Sequence, residues 1–528
     1  MGQELLSIKE ASEWATNFLG RPVTTSNIQY LVQYAKIAKV FYKNNTAINV
    51  NELKDYYETD IEKEEQWKKK LGKDLNWGLS FENLKESDTT KHVHRLHPYK
   101  GKFIPQLVEY FLDTHLNTFK KQVFFRAGDT ILDPFMGSGT TLVQSSELGL
   151  NSIGIDVSDF NCLISNVKLG EYDLGLLDKK ARDVCFKTRE FSQEVFDDSF
   201  DEQLKDKLNE FNKKYFPNPE FKKKVWKGII GNEEEYGQEK LKLFLKENAE
   251  FFEKNGTKDK SGLLNEKDMN SFLNKWFSKR VRQELFYYIK LLRQIEDENL
   301  KNALRIVLSR TARSCRATTH SDLATLTEPQ IGPYYCRKHK KLCTPINSIV
   351  KHLIRYTYDT IARLKDFSEI KKDVFSKVIH GDSREVNIFQ EIKKKSPKFH
   401  KLLASKKIDG VFTSPPYVGQ IDYHEQHAYA YELFDIPRED NKEIGPLFKG
   451  QGQKAKEEYV DGISKVFINI SKFVKDNGDF FIVANDKYNL YPLIAEKSGL
   501  QIVEQFKRPV LNRTERDRQP YAEIIFHM

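Results

Sequence analysis

The sequence predicts an α/β protein with a doubly wound, mostly parallel sheet, a largely helical insertion and a small N-terminal winged helix-turn-helix. Two observations predict the sheet: a strand, a glycine-rich turn, a helix and a second strand over 130–156, and strand-like runs between helical stretches from about 375 onward. The segment between these blocks is mainly helical in pattern. We therefore expect a helix-turn-helix module over 1–55, a linker over 56–90, one half of the sheet domain over 91–170, an insertion over 171–370, and the other half over 371–528.

The first 55 residues form a unit of their own in pattern. SIKEASEWATNFL carries apolar residues at helical spacing, and RPVTTSNIQYLVQYAKI follows with a turn, a cap region and a second amphipathic helix. A short hairpin and a helix start come next, in KVFYKNNTAINVNELKDYY. This order resembles the winged helix-turn-helix of excisionases and MerR-type regulators, in which the second helix, here about 25–35, enters a DNA groove. A structural or protein-docking module is the alternative.

Composition limits the class of protein. A chain of 528 residues with 39% hydrophobic residues can form several cores, which excludes a small single module and wholesale disorder. It has no apolar run of about 18 residues, and MGQELLSIKE does not resemble a signal peptide, so we expect a cytoplasmic protein without a membrane span. The five cysteines are scattered, which favours a reducing compartment over a disulfide framework.

The net charge of +9 is unevenly distributed. Residues 301–365 hold 13 basic and 3 acidic residues, residues 371–408 hold 11 and 4, and the rest of the chain is mildly acidic. A basic middle of this kind is typical of a face that binds a polyanion. A solvated, lysine-rich surface is the alternative explanation.

The most informative segment is TILDPFMGSGTTLVQSSELGLNSIGIDVSDF, residues 130–160. A strand ends in a glycine-rich turn, a helix begins there, and a second strand ends about twenty residues later in an acid. Such a turn lets the backbone approach a ligand, and the acid can accept hydrogen bonds from a ribose, so the pattern indicates a nucleoside-cofactor site. The Lys-Ser/Thr pair of a phosphate-binding loop is missing. The candidate residues are Asp133, Pro134, Phe135, Gly137, Ser138, Gly139, Thr140 and Asp156.

A second segment, IDGVFTSPPYVGQIDYHEQHAYAYELF over 408–434, carries a different chemistry. Pro415 and Pro416 fix an extended backbone directly after a strand. The Ser414 side chain and the Pro415 carbonyl can accept hydrogen bonds from an exocyclic amine, and Tyr417 can stack on a base. In isolation this motif would also suit a rigid surface turn.

Together, DPFMGSGT and TSPPY resemble the cofactor and catalytic motifs of amino-methylating DNA methyltransferases. HPYKGKFIPQLVEYFL, over 97–112, looks like the family motif that closes over the methionine end of S-adenosylmethionine, which implies Lys102 and Phe103 as contacts. Asp156 matches the family's ribose acid, and Asp382 in HGDSR matches its acidic contact near the adenine. The resemblance covers about 91–170 and 375–528. It implies S-adenosylmethionine as cofactor, double-stranded DNA as substrate and a cognate restriction endonuclease as a candidate partner.

The resemblance also suggests which base is modified. Family members with Ser before Pro-Pro-Tyr mostly methylate cytosine N4, so Ser414 favours N4-methylcytosine, formed on a flipped-out base, over N6-methyladenine. The sequence disfavours a C5-cytosine mechanism, because it uses a cysteine nucleophile that usually follows proline, and no cysteine here follows proline. The remaining alternatives are an RNA amino-methyltransferase and a catalytically inactive DNA-binding regulator.

The order of the motifs places the long insertion between the cofactor motif and the catalytic motif, which resembles the alpha-type arrangement with target recognition in between. HGDSR follows the insertion here, where an alpha-type enzyme would have it earlier. Within the insertion, Arg310, Arg313 and Arg316 can meet phosphates or guanine edges. Pairing with acidic groups of the sheet domain is the alternative.

The basic segment also contains residue types that bind zinc. Cys336, His339 and Cys343, with Cys315 or His320 as a fourth ligand, could form such a site. The spacing is irregular for a zinc finger and buried free cysteines are common, so the sequence alone assigns no metal.

Overall fold

The computed structural model describes residues 5–20, 23–33, 37–38, 40–42, 45–82, 84, 86–99, 101–117, 119–255, 271–320, 326–511 and 520–528. The N-terminal unit comprises β1 (Leu5–Ser7), α1 (Ile8–Leu19), α2 (Thr25–Gln33), β2 (Val40–Tyr42), β3 (Asn45–Asn49) and α3 (Val50–Leu71). Its strands form an antiparallel sheet in the order β1-β3-β2. Ser7 and Glu10 form a capping box that starts α1.

One predicted bound of this unit differs from the structure, and another lies outside the described residues. The second helix begins at Thr25 as predicted, but residues 34–36 lie outside the described part of the chain. The module boundary predicted near residue 55 falls inside α3. A small apolar core that includes Ile28, Ile48 and Leu53 joins the helices to the sheet. The DNA-binding role of this unit stays a prediction.

The first half of the sheet domain comprises α4 (Glu86–Thr89), α5 (Pro105–Leu112), β4 (Thr130–Asp133), α6 (Thr140–Leu148), β5 (Asn151–Asp156) and α7 (Asp159–Leu169), with short 3-10 turns at Trp77–Ser80 and His92–Arg95. The insertion comprises α8 (Leu174–Val195), α9 (Ser199–Tyr215), α10 (Glu220–Trp226), α11 (Glu233–Glu247), α12 (Ala249–Asn255), α13 (Phe272–Trp276), α14 (Lys279–Leu292), α15 (Glu298–Ser314), β6 (Tyr334–Cys336), β7 (Lys341–Cys343) and α16 (Val350–Ser368).

The second half comprises β8 (Ser376–His380), α17 (Ile388–Lys395), α18 (Pro397–Lys406), β9 (Ile408–Thr413), α19 (Tyr423–Gln426), α20 (Ala428–Phe434), α21 (Gln453–Ser471), β10 (Val474–Ala484), α22 (Tyr491–Ser498), β11 (Glu504–Pro509) and β12 (Ala522–His527). Two more 3-10 turns lie at Asp440–Lys442 and Leu447–Lys449.

The central sheet confirms the predicted α/β class. Its seven strands lie in the order β11-β12-β10-β9-β4-β5-β8. The pairs from β10 to β8 are parallel, whereas β12 is antiparallel to both of its neighbours. The strand order reverses between β4 and β9, which makes that pair the topological switch point where α/β sheets bind ligands.

Helical layers cover both faces of this sheet. Along β10, Phe480 and Ile482 pack with α17, α18, α21 and α22 on one face, and Phe481 and Val483 pack with α5 on the other. This alternation follows from the two-residue period of a strand. The described part of the chain contains no helix long and apolar enough to cross a membrane.

The insertion shares a hydrophobic core with the sheet domain. Residues of α8, α14, α15 and α16 pack with residues of α7 and α20 in one buried cluster. A second cluster joins α9 to α12 with the hairpin β6–β7. The insertion therefore contains one helical layer built onto the sheet domain and a smaller subdomain with an aromatic core. We call this part the hairpin subdomain (residues 199–255 and 334–343).

Candidate active site

Strands β4 and β9 lie side by side and end at the same edge of the sheet. The Thr413 hydroxyl donates to Asp133 Oδ1 at 2.7 Å, and the Thr141 hydroxyl donates to Asp133 Oδ2 at 2.6 Å. Asp133 is buried, and this burial raises its pKa to about 6. Its carboxyl group thus joins the end of β4 to the end of β9 and to the start of α6.

The glycine-rich turn after β4 needs its glycines for space. Gly139 has a φ of 75°, and a Cβ there would lie 2.7 Å from the Ser165 hydroxyl. The side chain of Lys168, fully buried, donates from Nζ to the Ser138 carbonyl at 2.5 Å. The buried hydroxyls of Ser138 and Thr140 have no hydrogen-bond partner among the described residues. The turn therefore forms a narrow cradle with polar groups available to a ligand.

Asp156, at the end of β5, borders the same cradle. Its Oδ2 accepts from the Gly137 backbone N–H at 2.9 Å, and its Oδ1 accepts from the Ser158 N–H at 2.8 Å and from Asn161 Nδ2 at 3.0 Å. Burial raises the pKa of Asp156 to about 6. The three donors orient a carboxylate at the position that the sequence predicts for a ribose contact.

These groups meet in one cleft, which we call the cofactor cleft. Nine of the eleven residues predicted to bind the cofactor line it: Lys102, Phe103, Pro134, Phe135, Gly137, Ser138, Thr140, Asp156 and Asp382. Asp133 and Gly139 do not line it, and Asp133 instead supports the strand ends. The Asp382 carboxylate is held by Arg384, with Nη2 2.5 Å from Oδ2. Desolvation lowers the pKa of Lys102 to about 8, and its Nζ donates to the His94 carbonyl at 2.8 Å.

The predicted catalytic motif lies at the other side of this cleft. Ser414 and Pro416 line it, whereas Pro415 and Tyr417 do not. The Ser414 hydroxyl donates to the Val483 carbonyl, near the end of β10, at 2.9 Å. The Tyr417 hydroxyl donates to Glu523 Oε1 at 2.7 Å. Hydrogen bonds to two neighbouring strands therefore fix the loop after β9.

A larger cleft of about 900 Å³ adjoins the first and shares Tyr99 and Lys102 with it; we call it the arginine cleft. Arg310, Arg313 and Arg316 line it, together with Arg95 and Arg355.

The three predicted arginines differ in their surroundings. Arg310 is buried, with Nη2 2.6 Å from Asp359 Oδ2. Arg316 lies over the Tyr429 ring at 5.6 Å, and burial lowers its pKa to about 10. Arg313 is half-buried.

Several residues that build these clefts were not predicted from the sequence. Tyr99 lines both clefts, and its ring lies close to Gly137. A Cβ added at Gly137 would lie 3.0 Å from the Tyr99 ring. The buried His424, which lines the cofactor cleft, bonds through its ring and its backbone N–H to Glu443. The sequence held no clear signal for Lys168, because its neighbours one and two turns earlier on α7 include the polar Ser165 and Asn161. Nothing local in the sequence singles out Glu443.

The fold and the site define a Rossmann-like enzyme with a nucleoside-cofactor cleft at its switch point. A family model described as DNA methylase matches residues 10–167. The type II methyltransferase M.MjaII of Methanocaldococcus jannaschii is 52% identical over 527 residues, which cover 100% of this chain and 97% of that protein. The type II methyltransferase M.BsoBI of Geobacillus stearothermophilus is 30% identical over 150 residues, or 28% of this chain and 26% of that protein. No solved structure matches the chain significantly.

The chain belongs to the N6/N4 family of DNA amino-methyltransferases, and its methyl donor is S-adenosylmethionine. The cofactor cleft fits S-adenosylmethionine. Its cradle excludes a side chain at Gly137 and Gly139, it offers the unpartnered hydroxyls of Ser138 and Thr140, and Asp156 provides an oriented carboxylate.

Proposed function

We propose that this enzyme methylates the exocyclic N4 of cytosine at a short, specific site in duplex DNA, after the base has flipped out of the helix. The observation that supports an exocyclic amine as the methyl acceptor is the hydrogen bond from the Ser414 hydroxyl to the Val483 carbonyl. Because its proton is committed to that carbonyl, the Ser414 oxygen is left to accept a hydrogen bond on its cleft side. An exocyclic amine is the base substituent that donates such a bond.

The chemistry follows from this orientation. S-adenosylmethionine supplies an electrophilic methyl group. Ser414 and the Pro415 carbonyl accept the two amine hydrogens, which turns the nitrogen lone pair toward the cofactor cleft. Asp133 holds β9 beside the glycine-rich turn, so the acceptors and the cradle keep a fixed separation. The serine before Pro-Pro-Tyr supports cytosine N4 as the target, since family members with this residue mostly modify that atom.

The arginine cleft is the proposed DNA-binding surface. Its arginines line a cleft that shares Tyr99 and Lys102 with the cofactor cleft, so we place the strand that carries the flipped base there. Arg310 is already paired with Asp359, so its main role is to position α15 against α16. Arg313, together with Arg95 and Arg355, is available to contact phosphates.

The test is to express the chain in a host without DNA methylation, hydrolyse the plasmid DNA and identify modified nucleosides by mass spectrometry. Single-molecule sequencing of the same DNA gives the target site. N4-methylcytosine within one short motif is expected. N6-methyladenine would overturn the role given to the serine, and DNA without any modified base would favour an inactive regulator.

The N-terminal unit is proposed as a second DNA contact. In α2, Ile28 and Leu31 are buried in the core of the unit, which leaves Gln29 exposed on the opposite side. Gln29→Glu is expected to weaken the affinity for duplex DNA without changing the affinity for S-adenosylmethionine. Asn17→Asp adds the same charge at an exposed position of α1 and is the matched control. Equal weakening by both variants would contradict a specific role for α2.

A place in a restriction–modification pair is also proposed, because M.MjaII and M.BsoBI carry the name type II methyltransferase. Modified plasmid is then expected to resist one endonuclease that recognises the same motif. Plasmid that remains sensitive to every enzyme cutting that motif would argue against this role.

A further inference from the structure

Four side chains of the insertion converge at the hairpin β6–β7. The ligand atoms of His320, Cys336, His339 and Cys343 all lie within 4.8 Å of one another. The distance from His339 Nδ1 to Cys343 Sγ is 3.5 Å, and that from His320 Nδ1 to Cys336 Sγ is 3.9 Å. Zinc bonds of about 2.3 Å to sulfur and about 2.0 Å to nitrogen at tetrahedral angles place such atoms about 3.5 Å apart.

The hairpin turn has the geometry of a metal-binding loop. Cys336 is the last residue of β6, and its Sγ accepts a hydrogen bond from the His339 backbone N–H at 3.4 Å. The Lys340 N–H donates to the Cys336 carbonyl at 2.7 Å, and Lys340 has a φ of 55°. The turn thereby brings Cys336 and His339 onto one side of the hairpin, while Cys343 follows at the end of β7.

The fourth side chain comes from a different segment. His320 follows α15, and its Nδ1 lies 2.6 Å from the Tyr334 hydroxyl, which also accepts from the His320 backbone N–H at 3.1 Å. Cys315, the other candidate from the sequence, lies elsewhere: it is buried, and its thiol points to the Ser348 carbonyl at 3.9 Å. The Tyr334 hydroxyl contacts Nδ1, the same ring atom that faces Cys336 Sγ, so a zinc ion bound at Nδ1 would displace this hydroxyl.

We propose that His320, Cys336, His339 and Cys343 bind one structural zinc ion. Two thiolates and two imidazoles are a closed, tetrahedral ligand set of the kind that structural zinc sites use, with no position left for substrate. The two thiolate charges balance the ion, so the bound site is neutral in a segment that is otherwise strongly basic.

The ion would connect two parts of the insertion. The hairpin belongs to the hairpin subdomain, since Asn212 of α9 forms two hydrogen bonds of 2.9 Å with the backbone of Leu342. His320 itself does not line the arginine cleft, but it lies only four residues beyond Arg316, which does. Zinc would therefore fix the hairpin subdomain to the surface on which we expect DNA to bind.

The first experiment measures metal in the full-length enzyme purified without chelator. Elemental analysis is expected to find about one zinc per chain, and X-ray absorption is expected to give two sulfur and two nitrogen neighbours at about 2.3 and 2.0 Å. Neither measurement depends on methyl transfer or on a variant that folds. Less than a tenth of an equivalent of zinc after growth in zinc-supplemented medium, or a first shell without sulfur, would overturn the proposal.

The second experiment compares variants. Cys343→Ser and His320→Ala are expected to lose most of the zinc, whereas Cys185→Ser, which changes a buried cysteine of α8 outside the cluster, retains it. Chelation is expected to lower the Tm of the wild type but not that of Cys343→Ser. Full zinc content in Cys343→Ser, or a Cys336–Cys343 disulfide in the purified protein, would contradict the assignment.

Discussion

The Tyr417 hydroxyl and the Glu523 carboxylate connect the catalytic loop after β9 to strand β12 by a hydrogen bond of 2.7 Å. The other oxygen of Glu523 accepts from Arg508 Nη1 at 2.7 Å, and Arg508 Nε donates to the Leu79 carbonyl at 2.9 Å. Both side chains of this ion pair are nearly buried. The position of Tyr417 thus depends on the antiparallel end of the sheet.

Glu523→Gln is expected to lower both the turnover and the Tm, because the buried charge of Arg508 loses its carboxylate partner, at a cost of about 3–5 kcal/mol. Tyr417→Phe removes one hydrogen bond, of about 1 kcal/mol, and leaves the ion pair intact. It should reduce kcat while the Tm changes little. Thermal unfolding and steady-state kinetics of both variants check this, and an equal loss of Tm in both would contradict the separation of roles.

Ser414→Ala is expected to reduce kcat on the order of 10²-fold, since it removes an acceptor that orients the amine. The Kd for S-adenosylmethionine should not change, because the other residues of the cofactor cleft are untouched. Ser498→Ala, which removes a hydroxyl bonded only within α22, is the matched control. A parallel loss of cofactor affinity and turnover in Ser414→Ala would refute a role confined to the target base.

The affinity for S-adenosylmethionine is expected to fall as the pH drops through about 6, the pKa to which burial raises Asp156. Protonation of Asp156 removes a hydrogen-bond acceptor that the Gly137 N–H and, as we propose, the ribose use. Calorimetric titrations over that range should show the decline in the wild type and in Asp183→Asn, a surface control on α8, but a weak and pH-independent affinity in Asp156→Asn. An unchanged slope in Asp156→Asn would assign the titration to another group.

The same raised pKa sets the sign of a stability effect. Between about pH 4 and 6 the folded chain holds a proton on Asp156 that the unfolded chain has released, so this carboxyl lowers the stability as the pH rises through that window. Asp133, with the same pKa, acts in the same direction. Urea unfolding of Asp156→Asn should therefore depend less on pH there than that of the wild type.

Lys168→Met is expected to weaken cofactor binding about tenfold, because the Ser138 carbonyl loses its buried donor and the glycine-rich turn can relax. Burial holds the pKa of Lys168 well below its ordinary range, and methionine keeps an unbranched side chain in this buried position. Lys179→Met, on the exposed face of α8, is the control. Unaltered cofactor affinity in Lys168→Met would show that the turn holds its shape without this contact.

Arg313→Ala is expected to weaken binding to all DNA sequences and to reduce the slope of log Kd against log salt by about 1, as the loss of one phosphate contact does. Arg182→Ala, which removes an exposed arginine paired with Asp178, should leave the slope unchanged. Fluorescence anisotropy at several salt concentrations measures both. Arg310→Ala should instead lower the Tm, since Asp359 then lacks its partner.

The parts of the candidate site that lie within one strand and its following turn could be located from the sequence, and their roles stay predictions. The end of β4, the glycine-rich turn, Asp156 and the loop at Ser414 were predicted at the level of single residues because each is a local pattern with a known geometric purpose. Likewise, strand-like runs between helical stretches, such as GDFFIVAND in β10, predicted the sheet.

The contacts that hold these parts together were beyond reach. Glu523 is 106 residues from Tyr417, and Thr413 is 280 residues from Asp133, so neither pairing leaves a trace in a local pattern. For the cysteine and histidine cluster, the sequence left Cys315 and His320 open as the fourth member, and only the path of the chain after α15 separates them. The three arginines looked alike in sequence, yet burial beside Asp359 distinguishes Arg310 from Arg313.

The long separation between β4 and β9 also has a consequence for biosynthesis. At about 5–20 residues per second, a ribosome needs roughly 14–56 s to add the 280 residues between Asp133 and Thr413. During that time β9, which pairs with β4, has not yet been synthesised. The apolar edge of β4 is therefore unpaired and can form hydrogen bonds with non-native strands. We expect nascent chains stalled within the insertion to associate with chaperones more strongly than chains stalled after β10.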